Sequence, residues 1–306
     1  MSRIAEPNPS RLGVDLGGTK IEIVALDAAG TSIVRRRVAS PAYDYGAIVE
    51  TIGALVESVE SELGERCTVG VGTPGAVSRT TGLMKNANST VLIGRPLAHD
   101  LRVRLGREVR IANDADCFAL SEASDGAGAG YGCVLGVILG TGVGSGIVVS
   151  GRLLTGPNAI AGEWGHNPLP WQLPSEQPGP RCYCGKDACI ETFLSGPSFV
   201  RDYVAAGGHA GSVPEILAAA RAGDVAAVGA VERYLDRLAR ALAAAINVLD
   251  PDAIVLGGGV SNVDSLYEEL PRRLPAYVFS DSVRTRVLAP AHGDSSGVRG
   301  AAWLWP

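Results

Sequence analysis

One histidine and three cysteines form a group whose types and spacing suit metal binding. The chain has six cysteines and four histidines, and Cys182, Cys184 and Cys189 follow His166 in one irregular segment. Three thiolates and one imidazole make a closed tetrahedral ligand set for Zn²⁺, and Cys-x-Cys-x4-Cys keeps the sulfurs in one tight loop. We therefore predict a structural zinc site. Reduced core cysteines beside a surface histidine are the alternative, and a disulfide is less expected in a cytosolic chain.

The group lies in residues 157–197, a stretch rich in Pro, Gly, Trp and Cys. A loop of that length in a compact domain needs something to order it. Because four protein ligands leave no open position on a metal, zinc would position neighbours rather than react. These neighbours are chiefly Glu163, His166 and Glu191. The residues Cys67, Cys117, Cys133, His99, His209 and His292 are expected to serve packing or to lie on the surface.

Carboxylates occur where predicted strands end. Asp15 ends the first strand, and Asn113, Asp114 and Asp116 lie where VRIANDADCFALSEA passes from strand to helix. Near a phosphate, a carboxylate can position Mg²⁺ or accept a proton from an attacking hydroxyl. At the start of a helix it can equally cap free N–H groups, which contributes about 1 kcal/mol. Position alone leaves both interpretations of Asp114 open.

Three glycine-rich turns could bind phosphate, because glycine lets a phosphate approach backbone N–H groups. Two join consecutive strands, and the third joins a strand to a helix. None is a Walker loop, since Thr19 precedes Lys20 in the nearest match, and no G-x-G-x-x-G is present. A plain tight turn is the alternative for any one of them. The residues are Asp15, Gly17, Gly18, Thr19 and Lys20; Gly140, Thr141, Gly142 and Gly144; and Gly257, Gly258 and Gly259.

The elements that carry these turns repeat along the chain. RLGVDL, IEIVALDAAG and TSIVRRRVAS predict three antiparallel strands, and an apolar stripe predicts a helix over 47–63. GCVLGVILGTGVGSGIVVSG matches the first strand–turn–strand, with Leu16 on Leu139. Further on we expect helices from about Val231, Val263 and Gly297. The repeat predicts two halves that face a shared cleft.

The composition excludes several classes of protein. Of 306 residues, 46% are apolar and 19% charged, which excludes a disordered chain. A net charge of -5 offers no broad cationic surface, so nucleic acid is not expected as a partner. No apolar run reaches the roughly 18 residues of a membrane span, and MSRIAEPNPSR has no signal-peptide core. We expect a cytoplasmic protein without a membrane partner.

Together, DLGGTK, LGTGVGSG, LGGG, ANDADC and the pairing of EWGH with CYCGKDACIE resemble the ROK family of sugar kinases, from Arg11 to the last residue. The resemblance implies an α/β, two-domain actin-like ATPase (ribonuclease H-like) fold with a cleft between the domains and a zinc-bound loop. We expect a smaller domain over residues 10–115 plus 297–306. The larger domain would be 116–296 and carry the loop 157–197.

The same resemblance implies roles for single residues. Asp114 would be the general base that takes the proton from the 6-hydroxyl of a hexose as this attacks the γ-phosphate of MgATP. Asn113, Glu163, His166 and Glu191 would bind the sugar hydroxyls, with Gly75 and Asn88 lining the same pocket. His166 would bind zinc through one ring nitrogen and sugar through the other. Ala188 stands where the family usually has Gly; a positive φ there would cost about 1 kcal/mol.

The substrate expectation rests on three longer segments. KNANSTVLIGRPL, AGEWGHNPLPW and HGDSSGVRGAAWLWP resemble bacterial fructokinases of the manno(fructo)kinase type, so we expect D-fructose and also mannose. N-acetylglucosamine and glucose are the alternatives among enzymes. A sugar-responsive regulator needs a helix-turn-helix for which the ten residues before Arg11 leave no room. A silent sugar-binding protein would lack the base or the phosphate turns. We also expect a homodimer, and cleft closure that excludes water.

Overall fold

The computed structural model describes residues 9–87 and 89–306. The first half builds one large sheet, a small hairpin and three helices, and the three antiparallel strands predicted at its start are confirmed. In chain order its elements are β1 (Arg11–Leu16), β2 (Lys20–Leu26), β3 (Ser32–Ala39), α1 (Tyr45–Leu63), β4 (Thr68–Thr73), β5 (Ala76–Val77), β6 (Met84–Lys85), α2 (Leu97–Leu105), β7 (Arg110–Asn113) and α3 (Asp114–Ser124).

The second half builds another large sheet and most of the helices. Its elements are β8 (Cys133–Leu139), β9 (Val143–Val149), β10 (Arg152–Leu153), α4 (Glu191–Leu194), α5 (Gly196–Ala205), α6 (Val213–Arg221), α7 (Val225–Leu249), β11 (Ala253–Gly257), α8 (Ser265–Arg273), β12 (Arg286–Leu288) and α9 (Ser296–Ala302). Short 3₁₀ turns interrupt the long segment between β10 and α4.

The two large sheets have the same topology. The strand order is β3-β2-β1-β4-β7 in the first sheet and β10-β9-β8-β11-β12 in the second. In each, a hairpin pairs two antiparallel strands, and the first of these also has a parallel neighbour: β4 beside β1, and β11 beside β8. The internal repeat predicted from the sequence is thereby confirmed.

Each sheet has its own hydrophobic core. The first core contains the α1 residues that recur every three or four positions, Ile48, Ile52, Leu55 and Val59. The second contains much of α7, which begins at Val225 rather than at about Val231. Asp224 caps this helix by accepting from the Ala227 N–H at 2.7 Å. The extra turns bury alanines rather than leucines, so they left no strong apolar pattern in the sequence.

Two helices cross between the halves. Helix α3 follows β7 of the first sheet but packs on β8 and β9 of the second, whereas α9 follows β12 of the second but packs on β1 and β4 of the first. The two helices touch through Gly300, where a Cβ would lie 1.6 Å from the carbonyl oxygen of Cys117. Only glycine allows this approach. The domain boundaries expected from the sequence, 10–115 plus 297–306 and 116–296, stay a prediction.

Within the described parts of the chain, no helix combines the length and the apolar character that crossing a membrane would need.

Candidate active site and metal centre

A cavity of about 580 Å³ opens where the two sheets face each other. The end of β1 contributes Asp15, Gly17 and Gly18 to its lining, and α3 contributes Asp114. The second half contributes Gly257, the last residue of β11, and the two glycines that follow it, Gly258 and Gly259. The cavity therefore combines two of the three predicted phosphate turns with the predicted base. Its other lining residues, which the sequence did not indicate, include Pro74, Ser89, Phe118, Ser261, Asn262, Pro290 and Ser296.

The third glycine turn has a geometry that side chains would disturb. Gly258 has φ of +84°, and a Cβ there would lie 2.5 Å from the carbonyl oxygen of Leu139. The chain then forms a 3₁₀ turn, Gly259–Asn262, before α8 begins at Ser265. The helix predicted from about Val263 thus starts later than expected, because the 3₁₀ turn comes first.

Six predicted phosphate ligands are not among the residues that line this cavity in the described chain. Thr19 accepts from the Ser40 N–H at 3.0 Å, and the Nζ of Lys20 lies 4.0 Å from Glu22. Gly140, Thr141 and Gly142 form the predicted tight turn between β8 and β9, in which Gly140 donates to Gly142 at 3.0 Å. Phosphate binding by these residues stays a prediction.

Gly144 has a packing reason to be glycine. It lies in β9, and a Cβ at this position would be 3.3 Å from the Cβ of Ala115 in α3. Its small size therefore lets α3 lie close to the second sheet, which positions the start of that helix. A contact of Gly144 with nucleotide stays a prediction.

At the start of α3, Asn113 caps the helix and the next residue, Asp114, lines the cavity. The Oδ1 of Asn113 accepts from the Ala115 N–H at 2.8 Å, and its Nδ2 donates to the Gly75 carbonyl oxygen at 3.1 Å. Asp114 also accepts from the Ala115 N–H, at 2.9 Å, but its side chain is exposed to the cavity. The sequence alone did not decide whether Asp114 caps the helix. In the structure Asn113 is the N-cap of α3. The sugar contacts predicted for Asn113 and Gly75 stay predictions.

Burial and mutual repulsion make the carboxyls near this cavity hard to ionise. Burial, followed by the charges of Asp114 and Glu22, raises the pKa of Asp15 to about 6. Burial also raises the pKa of Asp114, with a further contribution from Glu163, although the Ala115 N–H works against it. Asp114 opens to the cavity, yet protein atoms surround it on the other sides. A raised pKa brings a carboxylate closer to the value that suits a general base at neutral pH.

Asp116 lies in the same first turn of α3 as Asp114 and shares this environment. Burial and the charges of Asp114 and Glu163 raise its pKa to about 7. Its Oδ1 is buried and has no hydrogen-bond partner among the described residues. The cost of ionising Asp116 is therefore high.

Apart from Asp114, the predicted sugar ligands within the described residues are not among those that line the cavity. The side chain of Glu163 is exposed, and its charge acts on both Asp114 and Asp116. Glu191 begins α4, and its Oε2 accepts from the Val143 N–H at 2.9 Å. The same carboxylate fills the space beside Gly142, where a Cβ would lie 2.7 Å from Oε2. Glu191 therefore also holds the second glycine turn. Asn88 lies outside the described residues.

The predicted metal ligands converge. One potential ligand atom from each of His166, Cys182, Cys184 and Cys189 lies within 4.8 Å of the others. The Nδ1 of His166 is 3.6 Å from the Sγ of Cys182, and the sulfurs of Cys184 and Cys189 are 3.5 Å apart. Tetrahedral zinc with Zn–S bonds of about 2.3 Å would separate two sulfurs by about 3.8 Å. The donor set and its spacing thus fit structural zinc.

The surrounding loop confirms one expected strain and adds one contact. Ala188 has φ of +58°, the left-handed conformation in which its Cβ is unfavourable. The Nε2 of His166, which we assigned to sugar, lies 3.0 Å from the hydroxyl of Tyr183. No sequence signal indicated this contact, because Tyr183 stands between two cysteines as an ordinary loop residue.

A buried acid that the sequence did not single out supports the cavity lining. Glu122 in α3 is fully buried and has no cationic partner among the residues that the structure describes. It accepts from Ser296 Oγ at 2.7 Å and from the Ala291 N–H at 2.9 Å. The N–H groups of Ala127 and His292 complete its contacts, at 3.0 and 3.3 Å. An acid among the apolar residues of the predicted helix was the available signal. Glu122 fixes the segment before α9, which lines the cavity.

Known proteins resemble this chain over nearly its whole length. A model of the ROK family matches residues 11–306. The chain is 41% identical to an N-acetyl-D-glucosamine kinase of Vibrio cholerae, covering 95% of this chain and 98% of the relative. It superposes on the ROK hexokinase from Thermus thermophilus with a TM-score of 0.85 and 30% identity, over 96% and 97% of the two chains. It also superposes on a ROK family glucokinase from Streptomyces griseus, solved with glucose and AMPPNP. The TM-score is 0.74 and the identity 29%, over 96% of this chain and 98% of the glucokinase.

Proposed function

Because the chain belongs to the ROK family, we propose that it is an ATP-dependent sugar kinase whose sugar substrate is N-acetyl-D-glucosamine. The observation that carries the substrate is the 41% identity to the Vibrio cholerae enzyme of that name, which extends over 95% of the chain. D-fructose, expected from three segments, has no such support over the whole length. We therefore prefer N-acetyl-D-glucosamine, which the sequence analysis gave as an alternative to D-fructose.

Asp114 is the proposed general base. Its carboxylate takes the proton of the sugar 6-hydroxyl while the oxygen bonds to the γ-phosphorus of MgATP and the bond to the β,γ-bridging oxygen breaks. ADP then leaves with the electrons of that bond. The position of Asp114 in the cavity and its raised pKa support this role. Asn113 supports it indirectly, because its side chain caps α3 through the Ala115 N–H that Asp114 also contacts.

The two glycine turns in the cavity would bind the nucleotide. The Gly17 N–H closes the first turn by donating to the Lys20 carbonyl oxygen at 3.0 Å, which leaves the Gly18 N–H as the donor that suits a phosphate. Residues 257–259 offer a surface without side chains for the rest of ATP. Asp15, beside the first turn, is the acid we propose for the Mg²⁺ that accompanies ATP. No acid takes its place in the second half, where the repeat has Ile138.

In this proposal zinc would order the loop 157–197 and take no part in the reaction. His166 and the three cysteines would hold it with no position left for substrate. Ordering of residues 157–197 would then place Glu163 and Glu191 on the sugar side of Asp114. A homodimer and a cytoplasmic location remain predictions from the sequence.

The direct test is to identify the product. Purified protein is incubated with MgATP and N-acetyl-D-glucosamine, ADP release is followed, and the sugar product is examined by ³¹P and ¹³C NMR. We expect one phosphate ester, on oxygen 6. Absence of ADP release above the no-sugar control, or an ester on oxygen 1, would contradict the proposal.

A further inference from the structure

Tyr183 is placed to control the nitrogen of His166 that faces away from the metal ligands. Its hydroxyl lies 3.0 Å from Nε2, and its ring meets the imidazole edge to face, with centroids 5.2 Å apart at 89°. The side chain comes from the zinc loop itself, between Cys182 and Cys184. It is an exposed side chain, with 78% of its surface accessible, so nothing packs it permanently in this position.

The metal ligands decide which way this hydrogen bond runs. Nδ1 is the ring nitrogen on the metal side, 3.6 Å from the Sγ of Cys182. A nitrogen that binds zinc does so with its lone pair, so the imidazole proton is on Nε2. Nε2–H then donates to the Tyr183 oxygen. Tyr183 thus accepts the hydrogen bond from Nε2–H, the ring donor of His166 that would otherwise face a substrate.

The surroundings of the Tyr183 hydroxyl are those of the proposed sugar pocket. The carboxylates of Glu191 and Glu163 are near enough for their charges to act on the Tyr183 hydroxyl. A tyrosine hydroxyl can both donate and accept, so its oxygen can accept from Nε2–H. Its neighbours Glu163, Glu191 and His166 are the residues that we assign to the sugar hydroxyls.

We propose that the Tyr183 hydroxyl takes the place of a sugar hydroxyl on His166 Nε2 in the empty site and is displaced when sugar binds. This inference rests on the proposed function, because it requires that sugar binds at Nε2. It makes Tyr183 a residue that sets sugar affinity. The released side chain can be hydrated, since it is already exposed, so displacement costs little more than one hydrogen bond.

The test replaces the hydroxyl and keeps the ring. Tyr183→Phe frees Nε2–H, and the net value of an exposed hydrogen bond corresponds to about a 2- to 10-fold change in binding. We expect Kd for sugar, measured by calorimetry without ATP, and KM for sugar to fall by this factor. The kcat, the KM for ATP and the zinc content should not change. Tyr43→Phe, at a 98% exposed tyrosine in another loop, is the matched control.

Each outcome decides the proposal. An unchanged Kd would show that the contact does not compete with sugar, and a raised Kd would show that the hydroxyl is itself a sugar ligand; both overturn the inference but leave the kinase intact. If the unmodified protein neither binds nor phosphorylates any hexose, the proposed function fails together with the inference. Melting temperatures of the two variants show whether either has lost its fold.

Discussion

Asn113 and Asp114 divide two tasks at the start of one helix: Asn113 caps α3 through the Ala115 N–H at 2.8 Å, and Asp114 turns its carboxyl to the cavity. The N–H groups of Ala115 and Asp114 and the Asn113 side chain each lower the pKa of the Asp114 carboxyl. Burial outweighs these hydrogen bonds, and the pKa is raised. A sequence of two adjacent cap-forming residues thus yields one cap and one candidate base.

The first prediction concerns Asp114. Asp114→Asn keeps the shape of the side chain but cannot take up the proton, so kcat should fall about 10²- to 10⁴-fold. Kd for sugar should change little, because the base acts on the transferred proton rather than on binding. Steady-state kinetics and calorimetry measure the two effects, with Asp281→Asn in an exposed loop as the control. Near-normal turnover would remove Asp114 as the base.

The second prediction uses the pH dependence of stability. Folding raises the pKa of Asp116 from 3.8 to about 7, so the folded chain binds this proton more tightly than the unfolded chain does. The resulting stability is complete below about pH 4 and is lost as the pH rises to about 7. Asp116→Asn, which stays neutral, should therefore increase the free energy of unfolding at pH 8 by about 1–3 kcal/mol. Urea titrations should show this gain vanish near pH 4; a gain that is equal at both pH values would contradict the raised pKa.

The third prediction concerns the metal centre. Cys184→Ser removes one of four ligands, so the bound zinc per chain should fall from about one toward zero and residues 157–197 should become sensitive to protease. Cys133→Ser, at a free cysteine outside the cluster, should keep its zinc. Elemental analysis of freshly purified protein gives the first measurement. No zinc in the unmodified protein would end the metal proposal.

The fourth prediction concerns Glu122. Glu122→Gln brings an amide donor to a place where four donors already converge, which should destabilise the fold by about 2–4 kcal/mol. Because the same segment lines the cavity, KM for ATP should rise more than KM for sugar. Glu50→Gln, on the exposed side of α1, should alter neither. A loss of stability without this difference between the two KM values would limit Glu122 to folding.

Local motifs predicted much of the site. The cysteine spacing, the glycine turns and the Asn113–Asp114 pair each lie within a few residues. The sequence alone therefore indicates their chemistry. The repeat of Leu16 at Leu139 likewise predicted two sheets of like topology, which the strand order confirms.

Contacts between distant segments could not be predicted in this way. Glu191 meets the turn at Gly142, and Glu122 meets Ser296, only because the sheets and the crossing helices bring them together. The contact of Tyr183 with His166 depends on how the metal loop folds back. The start of α7 at Val225 was not predicted, because alanines occur on any face of a helix and so do not show which residues are buried.

The most direct test of the central claim is a comparison of kcat/KM over N-acetyl-D-glucosamine, N-acetylmannosamine, glucose, mannose and fructose under identical MgATP. We predict ATP-dependent phosphorylation with the highest kcat/KM for N-acetyl-D-glucosamine. Phosphorylation that is fastest for fructose would restore the substrate that three sequence segments suggested, and the absence of phosphorylation for all five sugars would contradict the assignment of a sugar kinase.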